Sequence, residues 1–109
     1  MSRQLANVVK VIEHFRAAHQ HATVNAISAF LHVATSEGIS IGEVQKHLGL
    51  EGSTATRAVA LLTTMQKGDK PGLNLVKQEY DRKDRRVKRL YLTASGHKLW
   101  QQIETTLAA

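Results

Sequence analysis

The sequence predicts a mostly helical fold with one small antiparallel β-hairpin, and three observations lead there. Apolar residues recur at three- and four-residue spacing through most of the first 62 residues and again after residue 94, the period of amphipathic helices. Two β-prone runs, "LNLVKQEY" and "VKRLYLT", flank the charged stretch "DRKDRR", which is the arrangement of a hairpin with a long loop. Between helices and hairpin lies "QKGDKPG", residues 66–72, turn chemistry that contains the only proline and that no helix crosses. The 109 residues suit a single domain, 1–109, with one modest core.

Each element can be justified in order. Leu5, Val8, Val9, Ile12 and Phe15 give a first amphipathic helix over about residues 4–18, closed by "AAHQHAT". Thr23 is placed to cap a second helix whose Val24, Ile27, Phe30, Leu31, Val33 and Ala34 leave little polar surface, so it belongs at the centre. Gly38 in "SEGIS" is expected to end it. A short helix follows, with Ile41 leading in, Val44 and Leu48 inward and Gly49 as its terminator. Ser53 is the expected cap of the next helix, in which Ala55, Ala58, Val59, Leu62 and Met65 form the inward face, and Ser53, Thr54, Thr56, Arg57 and Thr64 the outward one. After the hairpin, Thr93 caps a last helix, about 94–107, that buries Leu99, Ile103 and Leu107 at successive i+4 positions, with Trp100 beside them.

Charge narrows the partner. The net charge is +6 and the isoelectric point about 10.0, which favours a polyanion. No cysteine is present, which removes disulfide frameworks and thiolate zinc sites and points to an intracellular, cytoplasmic setting. The apolar runs are broken by Lys10, Glu13, His14 and His32, too short for a membrane span, and Met1 to Val11 lacks the pattern of a signal peptide.

Two short helices joined by Gly49-Leu50-Glu51 form a helix-turn-helix, whose second helix offers its N-terminal residues to the DNA major groove. Ser53, Thr54 and Thr56 are small enough for close approach and can bond phosphate, although the same residues would also suit an ordinary capped helix. The hairpin placed directly after is then a wing. Residues 81–89 hold six basic side chains and two aspartates. Arg85 or Arg86 at its tip suits a narrow minor groove, while Arg82, Lys83, Lys88 and Arg89 suit phosphates. Asp84 would repel DNA if left free, so it is expected to brace the wing by pairing with Arg86. A solvated tip that guards an edge strand would show the same charges.

With these elements in order, "GLEGSTATRAVALL" and "LVKQEYDRKDRRVKRLYLTASG" make the chain similar to winged helix-turn-helix regulators of the MarR type. The wing carries the more specific match: Asp84, Arg86, Leu90, Leu92, Thr93 and Gly96 at the family's spacing. The resemblance implies a dimeric, sequence-specific repressor that binds double-stranded DNA through Ser53, Thr54, Thr56, Arg57 and the wing, and that dimerises through its two terminal helices. The segment "QKGDKPGLN" is longer than the family's usual connection. The chain also ends at Ala109, before the long helices with which relatives enclose an effector, so an effector ligand stays open. A winged-helix interaction module of a replication or mobile-element assembly is the alternative reading.

Other chemistries find less support. His14, His19, His21, His32, His47 and His97 invite a metal, but only His19 and His21 form a close pair and no carboxylate sits beside them, so no metal site is assigned. No phosphate loop, ligand constellation or nucleophile with a spaced base is present, so neither a cofactor nor a catalytic residue is expected.

Overall fold

The computed structural model describes residues 2–63 and 71–108. Five helices and one hairpin follow in the order α1 (Arg3–Ala18), α2 (Val24–Thr35), α3 (Ile41–Leu48), α4 (Gly52–Leu62), β1 (Val76–Tyr80), β2 (Lys88–Leu92) and α5 (Ala94–Ala108). The mostly helical architecture with a two-stranded antiparallel sheet agrees with the pattern of the sequence.

The helix starts are chemically explicit. Ser2 accepts from Leu5 N, Thr23 from Ala26 N, and Ser40 exchanges bonds with Glu43 in a reciprocal capping box. Thr93 Oγ1 accepts from Gly96 N at the start of α5. In α4 the expectation is corrected. Its N-cap is Glu51, which makes no side-chain cap bond, and Ser53 stands in the first turn rather than before it. At the other end of the second helix, α2 stops at Thr35 with Ser36 as its C-cap, and Gly38 lies in the following loop with φ 92°. The cap of α3 is Gly49, whose left-handed φ of 64° lets the chain turn sharply into α4.

α2 is the central helix. Ala26, Ala29, Phe30 and Val33 are buried there, and the Phe30 ring meets Phe15 of α1 edge-on at 5.5 Å. Ile39, Val44, Val59, Leu62, Leu75, Val76, Leu90, Leu92, Leu99 and Ile103 complete the same cluster. Helical period alone misplaced several side chains. Val24 is the first residue of α2 and points outward, and Leu107 is exposed near the end of α5. Leu99 and Ile103 are buried as the period predicts, but they serve the core of the protomer rather than the face of α5 assigned to dimerisation. On α1 only Phe15 is buried, while Leu5, Val8, Val9 and Ile12 remain exposed. Thr64 and Met65, assigned to α4 from the sequence, lie outside the described residues, as does the turn from Gln66 to Lys70.

The hairpin pairs Val76 with Leu92 through to Tyr80 with Lys88. The α2–α3 loop docks along its free edge. Gly38 N donates to Leu90 O, Leu90 N donates to Ile39 O, and Ser40 bridges to Arg89. Glu37 adds a carboxylate oxygen that accepts from Leu92 N at 2.8 Å. The wing is thus bonded to the segment that opens α3.

Candidate nucleic-acid interface

The burial of Ala55, Ala58, Val59 and Leu62 fixes which face of α4 looks outward. Ser53, Thr56 and Arg57 are exposed and Thr54 is half-buried on that face. Arg57 Nε donates to Ser53 O at 3.3 Å, which lays the side chain back along the first turn and leaves its terminal amino groups for another acceptor. A shallow groove beside it is lined by Thr23, the N-cap of α2, and Asn25 of α2 together with Thr54, Arg57 and Leu61. Asn25 had no assigned part in the sequence reading, and Thr23 only that of a helix cap. Their proximity follows from α2 crossing α4, which local periodicity does not encode.

At the wing tip two aspartates organise the backbone before any cation is considered. Asp81 Oδ1 accepts from Lys83 N at 2.8 Å, and Asp84 Oδ1 accepts from Arg86 N at 3.1 Å. Asp84 also takes Arg86 through both carboxylate oxygens, from Nε at 3.0 Å and Nη2 at 3.1 Å. The Arg86 side chain is 91% exposed, so the pair holds a guanidinium at the edge of solvent. Arg82, Lys83, Arg85 and Lys88 are exposed and make no ion pair among the described residues; Lys88 Nζ lies 5.9 Å from the Tyr80 ring centre. Arg89 differs from its neighbours. Its Nε donates to Asp81 Oδ2 at 2.7 Å and its Nη1 to Gly38 O at 2.9 Å, so this cation, grouped on sequence with the phosphate contacts, is engaged inside the protein.

Electrostatics follow this geometry. The amide of Lys83 and then the Arg89 guanidinium hold Asp81 below its usual value, and Arg86, through its side chain and then its amide, does the same for Asp84. In return, Asp84 raises Arg86 and Asp81 raises Arg89. A carboxyl with a lowered folded value contributes fully above the unfolded value, here 3.8, and loses that contribution as pH falls through the folded value. The tip is therefore expected to keep one structure from about pH 8 to 5 and to loosen only in stronger acid. Carboxyl carbon shifts followed by NMR would check this; a titration of Asp81 or Asp84 near pH 6 would contradict it.

The histidines are dispersed. His14 Nε2 lies 2.9 Å from Thr106 Oγ1 between α1 and α5, His32 stacks on His47 at 5.2 Å, and His97 Nε2 lies 3.5 Å from Glu37. Burial lowers His19. Among the described residues no three His, Asp or Glu side chains converge to hold a metal, and no helix is long and apolar enough to cross a membrane.

No protein-family profile matches the chain, and no curated protein sequence does. Solved structures do match. MarR superposes with a TM-score of 0.66 at 16% identity, covering 91% of this chain and 71% of its own. The S. aureus MepR–DNA complex gives 0.71 at 19%, covering 96% and 76%. A MarR transcriptional regulator from Methanosarcina mazei Go1 gives 0.70 at 18%, covering 97% and 69%. Likeness at such identities is likeness of fold, and the fold of this chain is the winged helix-turn-helix of the MarR-type regulators.

Proposed function

We propose that the protein is a sequence-specific regulator of transcription that binds double-stranded DNA, as a dimeric repressor. One observation carries the reading. The exposed Arg57 face belongs to α4, which packs on α3, and the loop that opens α3 is bonded to β2 of the cationic wing, so a helix suited to the major groove and a tip suited to the minor groove sit on one connected body. MepR, a structural neighbour, is bound to DNA in its complex. On this reading Ser53, Thr54 and Thr56 approach phosphates, as do Arg82, Lys83 and Lys88. Arg86 braced by Asp84, or Arg85, enters the minor groove. The exposed stripe Leu5, Val8, Val9 and Ile12 of α1, with Leu107 of α5, supplies a self-complementary surface. A twofold dimer would then set two α4 helices about 34–36 Å apart, one turn of DNA. The reading calls for no cofactor, metal or catalytic residue and places the protein in the cytoplasm.

Selection of binding sites from random duplex DNA tests it, with a palindromic consensus as the expected result. Failure to enrich any sequence, together with a monomeric mass in solution, would instead favour an interaction module. Arg57 is the candidate for a bidentate bond to guanine, worth about 1–3 kcal/mol of discrimination. Arg57→Ala is expected to relax base preference at one position of each half-site. An unchanged consensus would reduce Arg57 to a phosphate contact.

A further inference from the structure

We infer that Arg89 is a positioning residue, a strut that fixes the angle between the wing and the helix-turn-helix, and that it makes no contact with DNA. The inference rests on the DNA-binding reading above and assigns within it a task that charge alone would not reveal. Arg89 stands on β2 opposite Glu79, and its guanidinium reaches two separate bodies. Toward the tip, Nε donates to Asp81 Oδ2 at 2.7 Å. Toward the helices, Nη1 donates to Gly38 O at 2.9 Å and lies 3.9 Å from Glu43 Oε1. Glu43 is the carboxylate of the capping box that starts α3, so the far end of the strut rests on the first turn of the helix-turn-helix. Asp81 is equally well placed, because its other oxygen accepts from Lys83 N and so ties the strut to the loop that carries the free cations.

The geometry suits rigidity. An arginine that spans a carboxylate and a carbonyl uses two donors of one planar fork, so its position and orientation are fixed together. A two-stranded hairpin by itself is marginally stable and free to swing, and a wing that swings would lose the entropy needed to dock a tip into a groove. The bonds of Gly38 and Ile39 to Leu90 hold the middle of β2; Arg89 extends that attachment by one residue toward the tip.

Asp81 provides the decisive experiment, because removing an anion beside a polyanion should by charge alone tighten binding. Asp81→Asn keeps the oxygen that receives Lys83 N but turns an amide nitrogen toward the guanidinium. Arg89→Lys keeps the charge but loses the fork. The full chain is titrated with its selected duplex, carrying A·T-rich or G·C-rich flanks, for wild type, D81N, R89K, R89A and D81N/R89A. If the strut positions the wing, D81N and R89K each weaken binding, roughly tenfold, and erase the preference for A·T-rich flanks while the base read by Arg57 stays the same. The double variant should then be no weaker than R89A. If instead D81N binds as tightly as wild type or tighter, and R89K matches wild type, Arg89 is a phosphate contact and the proposal fails. A DNA-free measurement separates this outcome from failure of the functional reading: amide hydrogen exchange at Gly38 and Leu90 should speed up in D81N and R89K while the Phe30 amide is unchanged. Unaltered exchange at Gly38 and Leu90 overturns the strut even if the protein binds no duplex.

Discussion

Ile12→Asp is expected to leave the chain folded and to separate two copies, whereas Ile103→Asp is expected to unfold it. The two isoleucines look alike in the sequence, each on an apolar stripe of a terminal helix. Their surroundings differ. Ile103 is 0% exposed among the residues that pack beneath α5, while Ile12 is 42% exposed on α1 beside Leu5, Val8 and Val9. An aspartate at 103 would have to bury a charge or take up a proton, at a cost of several kcal/mol against a total stability of about 5–15 kcal/mol. At position 12 the carboxylate reaches water in a lone protomer and meets its own symmetry mate only in a dimer. Sedimentation at tens of micromolar combined with thermal melting by circular dichroism reads both effects. A wild-type mass for Ile12→Asp would remove α1 from the interface, and a wild-type melt for Ile103→Asp would contradict the packing of α5.

Replacing Arg82, Lys83 and Lys88 together with alanine is expected to flatten the dependence of log K on log salt by about three units, close to one for each phosphate cation removed. All three are exposed and form no ion pair among the described residues, so the melting temperature should hardly move. The loss should be shared by every duplex, because phosphate contacts carry no sequence information. Arg86 and Asp84 are left in place, which preserves the braced tip and isolates the diffuse charge from the inserted guanidinium. A salt titration of the triple variant on matched sites decides the point; an unchanged slope would mean that the tip serves only to keep the wing in solution.

The elements themselves were legible because their signals are local. Thr23 and Gly49 mark helix ends with bonds that span three or four residues, and the alternating hairpin runs need no knowledge of the rest of the chain. What stayed hidden depends on partners distant in sequence. A helical period finds the stripe of Leu99 and Ile103 but not whether its own protomer or a second copy covers it. Ser53 looked like a cap because it is the first residue of the preferred type, yet the backbone enters the helix one residue earlier, at Gly52. Arg89 was indistinguishable from its cationic neighbours until the register set it opposite Glu79, which brings Asp81, two residues beyond Glu79 on the same face, within diagonal reach. Assigning that pair required the strand alignment as well as the composition.

The junction between α4 and the wing behaves as a closed neck. Leu73 N donates to Leu61 O, Leu75 N to Leu62 O and Asn74 N to Thr63 O, and Thr93 Oγ1 secures Asn74 O from the other side. Backbone and backbone are so close there that a Cβ on Gly72 would fall 1.9 Å from Thr63 O, which confines that position to glycine. The direction in which β1 leaves α4 is therefore set by backbone bonds at the neck itself, so the hairpin keeps its aim relative to α4 for as long as those bonds hold.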